Sequence, residues 1–153
     1  MRKIGALALF LSSLCSCLAL QPQRARDLYV QADYTETVKN AALLLDCLAV
    51  NKGFDSGLLE ENAAYVFHLM LKQRNQAAAA RDRTLLLRAM IKEQEFSRDF
   101  QTLHTVTVEL SIFDPPREEA VALLLYSENT RETIESYAYL HGVIRRALQH
   151  LSR

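Results

Sequence analysis

Between Leu58 and Ile91 the chain concentrates its apolar mass, and any fold it adopts has to cover that stretch. Leu59, Ala63, Val66 and Met70 follow the 4-3-4 spacing of one helix face, and Leu58, Tyr65 and Leu69 widen it. Asp55 or Ser56 stands at the N-cap position, with Glu60 and Glu61 near the positive helix end. Polar residues from Lys72 to Gln76 follow, then Ala77 to Ala80, which are strong helix formers. Leu85, Leu86, Leu87, Ala89, Met90 and Ile91 resume the apolar face. The pattern predicts a helical hairpin turning near Arg74 and Asn75. No Gly or Pro marks that turn, so one continuous helix is the alternative.

The flanking segments read as layers on this hairpin. Asp33 and Glu36 have the spacing of a capping box, ahead of a stripe of Val38, Ala41, Ala42, Leu45, Leu48 and Ala49 that stops at Asn51-Lys52-Gly53. Phe96, Phe100, Leu103, Val106, Leu110 and Phe113 fit a helix as well. Across the same stretch, Val106, Val108, Leu110 and Ile112 alternate with Thr105, Thr107, Glu109 and Ser111 as a strand would. Helix is the expectation there, because no second strand-like run is evident and a lone strand leaves its ladder groups unpaired. Pro115 and Pro116 open a short helix over Ala120 to Tyr126. Asn129 with Glu132 then caps a last helix carrying Ile134, Tyr137, Leu140, Ile144, Ala147, Leu148 and Leu151 on one face. The expected fold is all-α: six to seven helices arranged as helical hairpins, forming a single domain over residues 24–153.

At the N-terminus, Arg2 and Lys3 precede an uncharged apolar run from Ile4 to Leu14 and then small residues, the pattern of a secretory signal peptide over residues 1–16. The run is shorter than the roughly 18 residues of a membrane span. Leu14-Cys15-Ser16-Cys17 resembles the bacterial lipobox, departing from it at Cys15. That resemblance implies lipid attachment at Cys17, with residues 17–23 as a lipid-proximal tether. Cleavage after Ala19 is the alternative and would release a soluble exported chain. Further on, Ala32-Asp33-Tyr34 and Glu118-Glu119-Ala120 look like fragments of tetratricopeptide-type hairpins. The helix starts at Thr37, Ala78 and Ala120 are 41 and 42 residues apart, however, against about 34 for that repeat.

Charge and side-chain chemistry narrow the function. Without Arg2 and Lys3 the chain carries 16 basic and 18 acidic residues, a formal charge of minus 2, which gives nucleic-acid binding no electrostatic support. Cys47 has no partner for a disulfide once Cys15 and Cys17 are set aside, and its setting among Leu43, Leu44, Leu45 and Leu48 predicts a small buried hydrophobe. His68, His104, His141 and His150 form no metal-ligand spacing. Asp46, with apolar neighbours at three and four positions, and Glu109 are the candidate acid or base groups. Tyr29, Tyr34, Tyr65, Tyr126, Tyr137 and Tyr139 are candidates to line a groove, or to pack in the core with hydroxyls at its rim. Arg81-Asp82-Arg83 and Arg145-Arg146 read as solvated helix surface.

No phosphate loop, nucleophile elbow or Cys-His pair is present, so neither a catalytic centre nor a cofactor or metal is expected. The expectation is a non-catalytic, exported, lipid-anchored interaction or scaffold module of a bacterial envelope, exposed to the periplasm or cell surface and partnered by another envelope protein or peptide. A periplasmic carrier or sensor of a small apolar ligand is the second expectation. A small helical enzyme using a buried carboxylate is the third.

Overall fold

The computed structural model describes residues 24–52, 56–78, 80–117 and 119–151. The chain there runs through β1 (Arg24–Val30), a 3-10 turn (Ala32–Tyr34), α1 (Thr35–Asn40), β2 (Ala41–Asn51) and α2 (Gly57–Ala77). It continues with β3 (Ala80–Arg98), β4 (Gln101–Phe113), β5 (Ala120–Thr130) and α3 (Tyr137–His150). The all-α expectation, with its tetratricopeptide-like hairpins, is thereby corrected to a mixed α/β fold. Five strands form one sheet in the order β1-β5-β4-β3-β2. β2 and β3 are parallel and joined by α2 as a crossover, and every other neighbouring pair is antiparallel.

The centre of the chain shows why. Its first half is helix α2, as expected, but its second half is strand β3: Leu85, Leu87, Ala89 and Ile91 are buried while Arg88 and Met90 are exposed, a period of two. Consecutive leucines satisfy either period, so the paired neighbours decide. β4 takes the alternation visible at 105–112, burying Val106, Val108, Leu110 and Ile112. It is no lone strand, because β3 and β5 pair with it residue by residue. The same holds for Ala120 to Tyr126, which is β5, and for the expected helix over Val38 to Ala49, of which only α1 is helical.

The helices cover one face of the sheet. Phe67 and Leu71 of α2 and Leu140, Ile144 and Leu148 of α3 pack on Leu87, Ile91, Val108, Leu110, Leu124 and Tyr126 in one core. Helix α3 buries Leu140, Ile144, Ala147 and Leu148 of its predicted stripe, but Tyr137 is exposed and Ile134 precedes the helix, because it starts later: Ser136 is its N-cap, accepting from the Tyr139 amide at 3.4 Å. Asn129 is in β5 instead, its side chain accepting a bond from Thr105 Oγ1. Ser56 occupies the N-cap of α2 without a side-chain bond, whereas Gly53, Phe54 and Asp55 lie outside the described residues.

Side chains of α2 also close the outer edge of β2. The Asn75 amide accepts from Leu43 N at 2.9 Å and donates to Leu43 O at 2.8 Å, as a neighbouring strand would. Glu60 Oε1 accepts from Val50 N, and Arg74 donates to the carbonyls of Val38 and Ala41 at the end of α1. Burial lowers the Arg74 pKa. At the hairpin between β3 and β4, Asp99 and Phe100 both have positive φ, at 50° and 61°. That is the geometry of a tight two-residue turn, which usually selects Asn or Gly.

Candidate interaction surface on the open sheet face

Strand register sets the face that no helix among the described residues covers. Tyr29, Leu123, Ser111, Arg88 and Cys47 lie in one row across it, and Asp27, Leu125, Glu109, Met90 and Ala49 in the next. Tyr29, Leu44, Leu123 and Leu125 are between 44% and 60% exposed. Tyr29, Leu123 and Leu125 adjoin across β1 and β5, and with Asp27, Glu109 and Ser111 they line a shallow depression of about 350 Å³. Apolar side chains occupy its middle, with two carboxylates at its rim.

Both carboxylates proposed as acid or base residues belong to this face, and each is ion-paired. Glu109 lies 2.6 Å from Lys92 Nζ on β3, and Asp46, the extra residue of a β-bulge, lies 2.8 Å from Arg88 Nε. The Arg88 guanidinium also stacks 4.5 Å from the Phe113 ring. The expectation of a buried Cys47 is corrected: it is an exposed free thiol, because the bulge at Asp46 on an outermost strand turns it to the open face.

Three polar clusters lie away from this face. Glu128, 2% exposed, accepts from Tyr126 at 2.5 Å, Tyr139 at 2.7 Å and Arg146 at 2.6 Å, with Arg24 Nε at 3.4 Å. Burial pushes its pKa up, but hydrogen bonds from Tyr126, Arg146 and Tyr139 outweigh that and hold it below the ordinary carboxylate value. Burial, and then the bond to Glu128, raises both tyrosines. Glu93 binds Lys52 at 3.0 Å, the Ile134 amide at 2.7 Å and Thr133, with His104 Nδ1 at 3.1 Å. Desolvation lowers the Lys52 pKa, but bonds to Glu135 and Glu93 leave it raised. Asp114 accepts from Tyr34 at 2.5 Å and Arg83 at 2.9 Å, and its pKa is lowered, first by the Tyr34 bond.

These clusters explain most of the tyrosine pattern. Tyr34 and Tyr126 bury their rings, Tyr139 packs half-buried against the core, all three give their hydroxyls to carboxylates, and only Tyr29 of the six lines the depression. His104 and His150 are drawn into separate clusters, His150 lying 3.0 Å from Arg26. Among the described residues no three His, Cys, Asp or Glu side chains converge as a metal site requires. Cys17, the signal segment, the tether and the Ala19 cleavage point lie outside the described residues. The open face itself was missed from the sequence. Its one available signal was the polar half of the alternation at Thr105, Thr107, Glu109 and Ser111.

Fold and surface define an α/β chain with a five-stranded mixed sheet, backed by helices on one side and partly apolar on the other. No protein-family model matches the chain, and no curated protein does. Among solved structures it is similar to a PelC dodecamer from Paraburkholderia phytofirmans, with a TM-score of 0.49 at 12% identity, covering 85% of this chain and 98% of that one. A minor lipoprotein from Acinetobacter baumannii has a TM-score of 0.35 at 16% identity, covering 70% and 89%. At these values the likeness transfers no site or activity. No helix among the described residues is long and apolar enough to cross a membrane.

Proposed function

We propose that the chain is a non-catalytic, exported and lipid-anchored interaction module of a bacterial envelope, docking a partner protein on its open sheet face. The observation that carries this is the adjoining trio Tyr29, Leu123 and Leu125 on a face that no helix among the described residues covers. Exposed apolar side chains that adjoin one another, rimmed by polar ones, are the usual mark of a binding surface. Asp27 at the rim, where Glu109 is already paired with Lys92, fits a partner segment that presents an apolar side chain beside a basic one. Anchoring rests on the lipobox-like Leu14 to Cys17.

Two measurements test the two halves. A photo-crosslinking residue at Leu123, in cells able to process lipoproteins, should yield one discrete adduct that Leu125→Asp abolishes in a folded chain. An adduct pattern indifferent to Leu125→Asp would remove the docking surface. Intact mass spectrometry should show a chain beginning at acylated Cys17, lost in Cys17→Ala. A chain beginning near Leu20 would remove the anchor.

A further inference from the structure

Strand register places the entry of the chain and the tip of the β3–β4 hairpin at the same end of the sheet. Arg24, the first residue of β1, is opposite Glu128, which is opposite Val106 on β4. From that row β4 runs back through His104, the last residue that β5 pairs, to the turn at Asp99 and Phe100. β2 ends opposite Lys92. The hairpin from Phe96 to Leu103 therefore projects past both flanking strands. At the ~3.3 Å rise of a strand, its tip is ~20 Å beyond the row of Arg24.

The tip residue is unusual. Phe100 has φ 61° and is 110% exposed, so it is fully solvated in a backbone conformation that a bulky side chain rarely adopts. Gly or Asn would relieve the turn, and no packing in the fold holds Phe there. Strain that the fold does not need is often kept for a contact made elsewhere.

We propose that Phe100 is a membrane-contacting residue, seated in the interfacial layer of the bilayer that carries the anchor. This rests on acylation of Cys17. Arg24 lies seven positions after Cys17, and a chain of that length spans at most about 25 Å. The tip projects ~20 Å from the same row at the same end, so a chain held at Cys17 brings Phe100 to the lipid surface. A Phe side chain can bury its apolar ring at the boundary between headgroups and acyl chains. Arg98 and Asp99 offset each other beside it, 3.6 Å apart, so the contact is apolar and insensitive to salt.

The chain contains no Trp, so Phe100→Trp makes a single-reporter protein, with Pro116→Trp at the β4–β5 turn, at the opposite end of the sheet, as its control. Each full-length lipoprotein is reconstituted in phosphatidylcholine vesicles, with and without acyl-brominated lipid, and its acylation is checked by mass. The Phe100→Trp emission should shift to the blue and be quenched by brominated lipid at low and high salt, while Pro116→Trp emission stays that of solvated indole. Solvent-like emission from both, in acylated protein, overturns the membrane contact and leaves the anchor standing. Should the mass show no lipid, the anchor fails. Unlipidated Phe100→Trp added to the same vesicles then decides: quenching sustains the contact, and its absence overturns it.

Discussion

Glu128 is a buried carboxylate held by Tyr126, Tyr139, Arg146 and Arg24, and that geometry fixes what losing it costs. Its two oxygens receive Tyr126, Tyr139 and Arg146, and a Cβ on Gly142 would come within 3.0 Å of Arg146 Nη1, so glycine there leaves the guanidinium its room. Removing one partner of a buried pair strands the other, and because Arg146 is partly exposed the penalty is below that of a fully buried pair. Glu128→Gln should therefore cost about 2 kcal/mol at neutral pH, read from the urea midpoint. The pH dependence has a definite sign. Glu128 and Asp114 both ionise at lower pH when folded. Their stabilisation is thus complete above the unfolded carboxylate value, about 4–4.5, and is lost as pH falls through the folded values. Midpoints measured downward from pH 6 should decline below that value, and Glu128→Gln should make the decline shallower while Asp114 keeps part of it. An unchanged slope would mean that Glu128 titrates alike in both states.

Elements were legible where one period excluded the other. Helix α3 spaces Leu140, Ile144, Ala147 and Leu148 around polar Arg145, Arg146 and Gln149, a pattern no strand satisfies, and it was readable from sequence. In β3 and β5, Leu85-Leu86-Leu87 and Leu123-Leu124-Leu125 suit either period, and Leu and Ala lean toward helix, so only the neighbouring strands settle them. β4 shows its alternation in the sequence, but its partners β3 and β5 have helix-like composition, so a strand there looks unpaired. Tertiary bonds to β2 were equally hidden: nothing in the sequence tells that Asn75 serves as a ladder partner for Leu43. Asn75→Ala should cost about 1–2 kcal/mol, because both Leu43 groups lose their partner, and should speed hydrogen exchange at Leu43 N. Unaltered exchange there would show that water replaces the amide at no cost. At the hairpin, Phe100→Gly should raise stability by about 1 kcal/mol through relief of positive φ. If it does not, the turn is unstrained.

On the scale of the whole molecule, one sheet carries two unlike faces, and the same strand serves both. Leu124 of β5 is 2% exposed beneath the helices, while Leu123 and Leu125 beside it are about half exposed on the other side. The sequence could not separate these three leucines, because burial was decided by two helices distant in sequence. Their energetic roles should separate cleanly. Leu124→Ala removes buried methyl groups from a filled core and should cost about 2–4 kcal/mol. Replacing Leu123 and Leu125 together by Thr removes no core contact and adds no charge opposite Asp27 or Glu109, and should change the urea midpoint by no more than about 0.5 kcal/mol for each site. It should also abolish docking, since polar side chains would replace the apolar centre of the depression. The informative quantity is the pair of outcomes, stability and crosslinking, measured on the same preparation. Loss of both would mean that the open face is part of the folding core. Retention of both would mean that the partner is bound elsewhere, the outer edge of β1 being the next surface to probe by crosslinking.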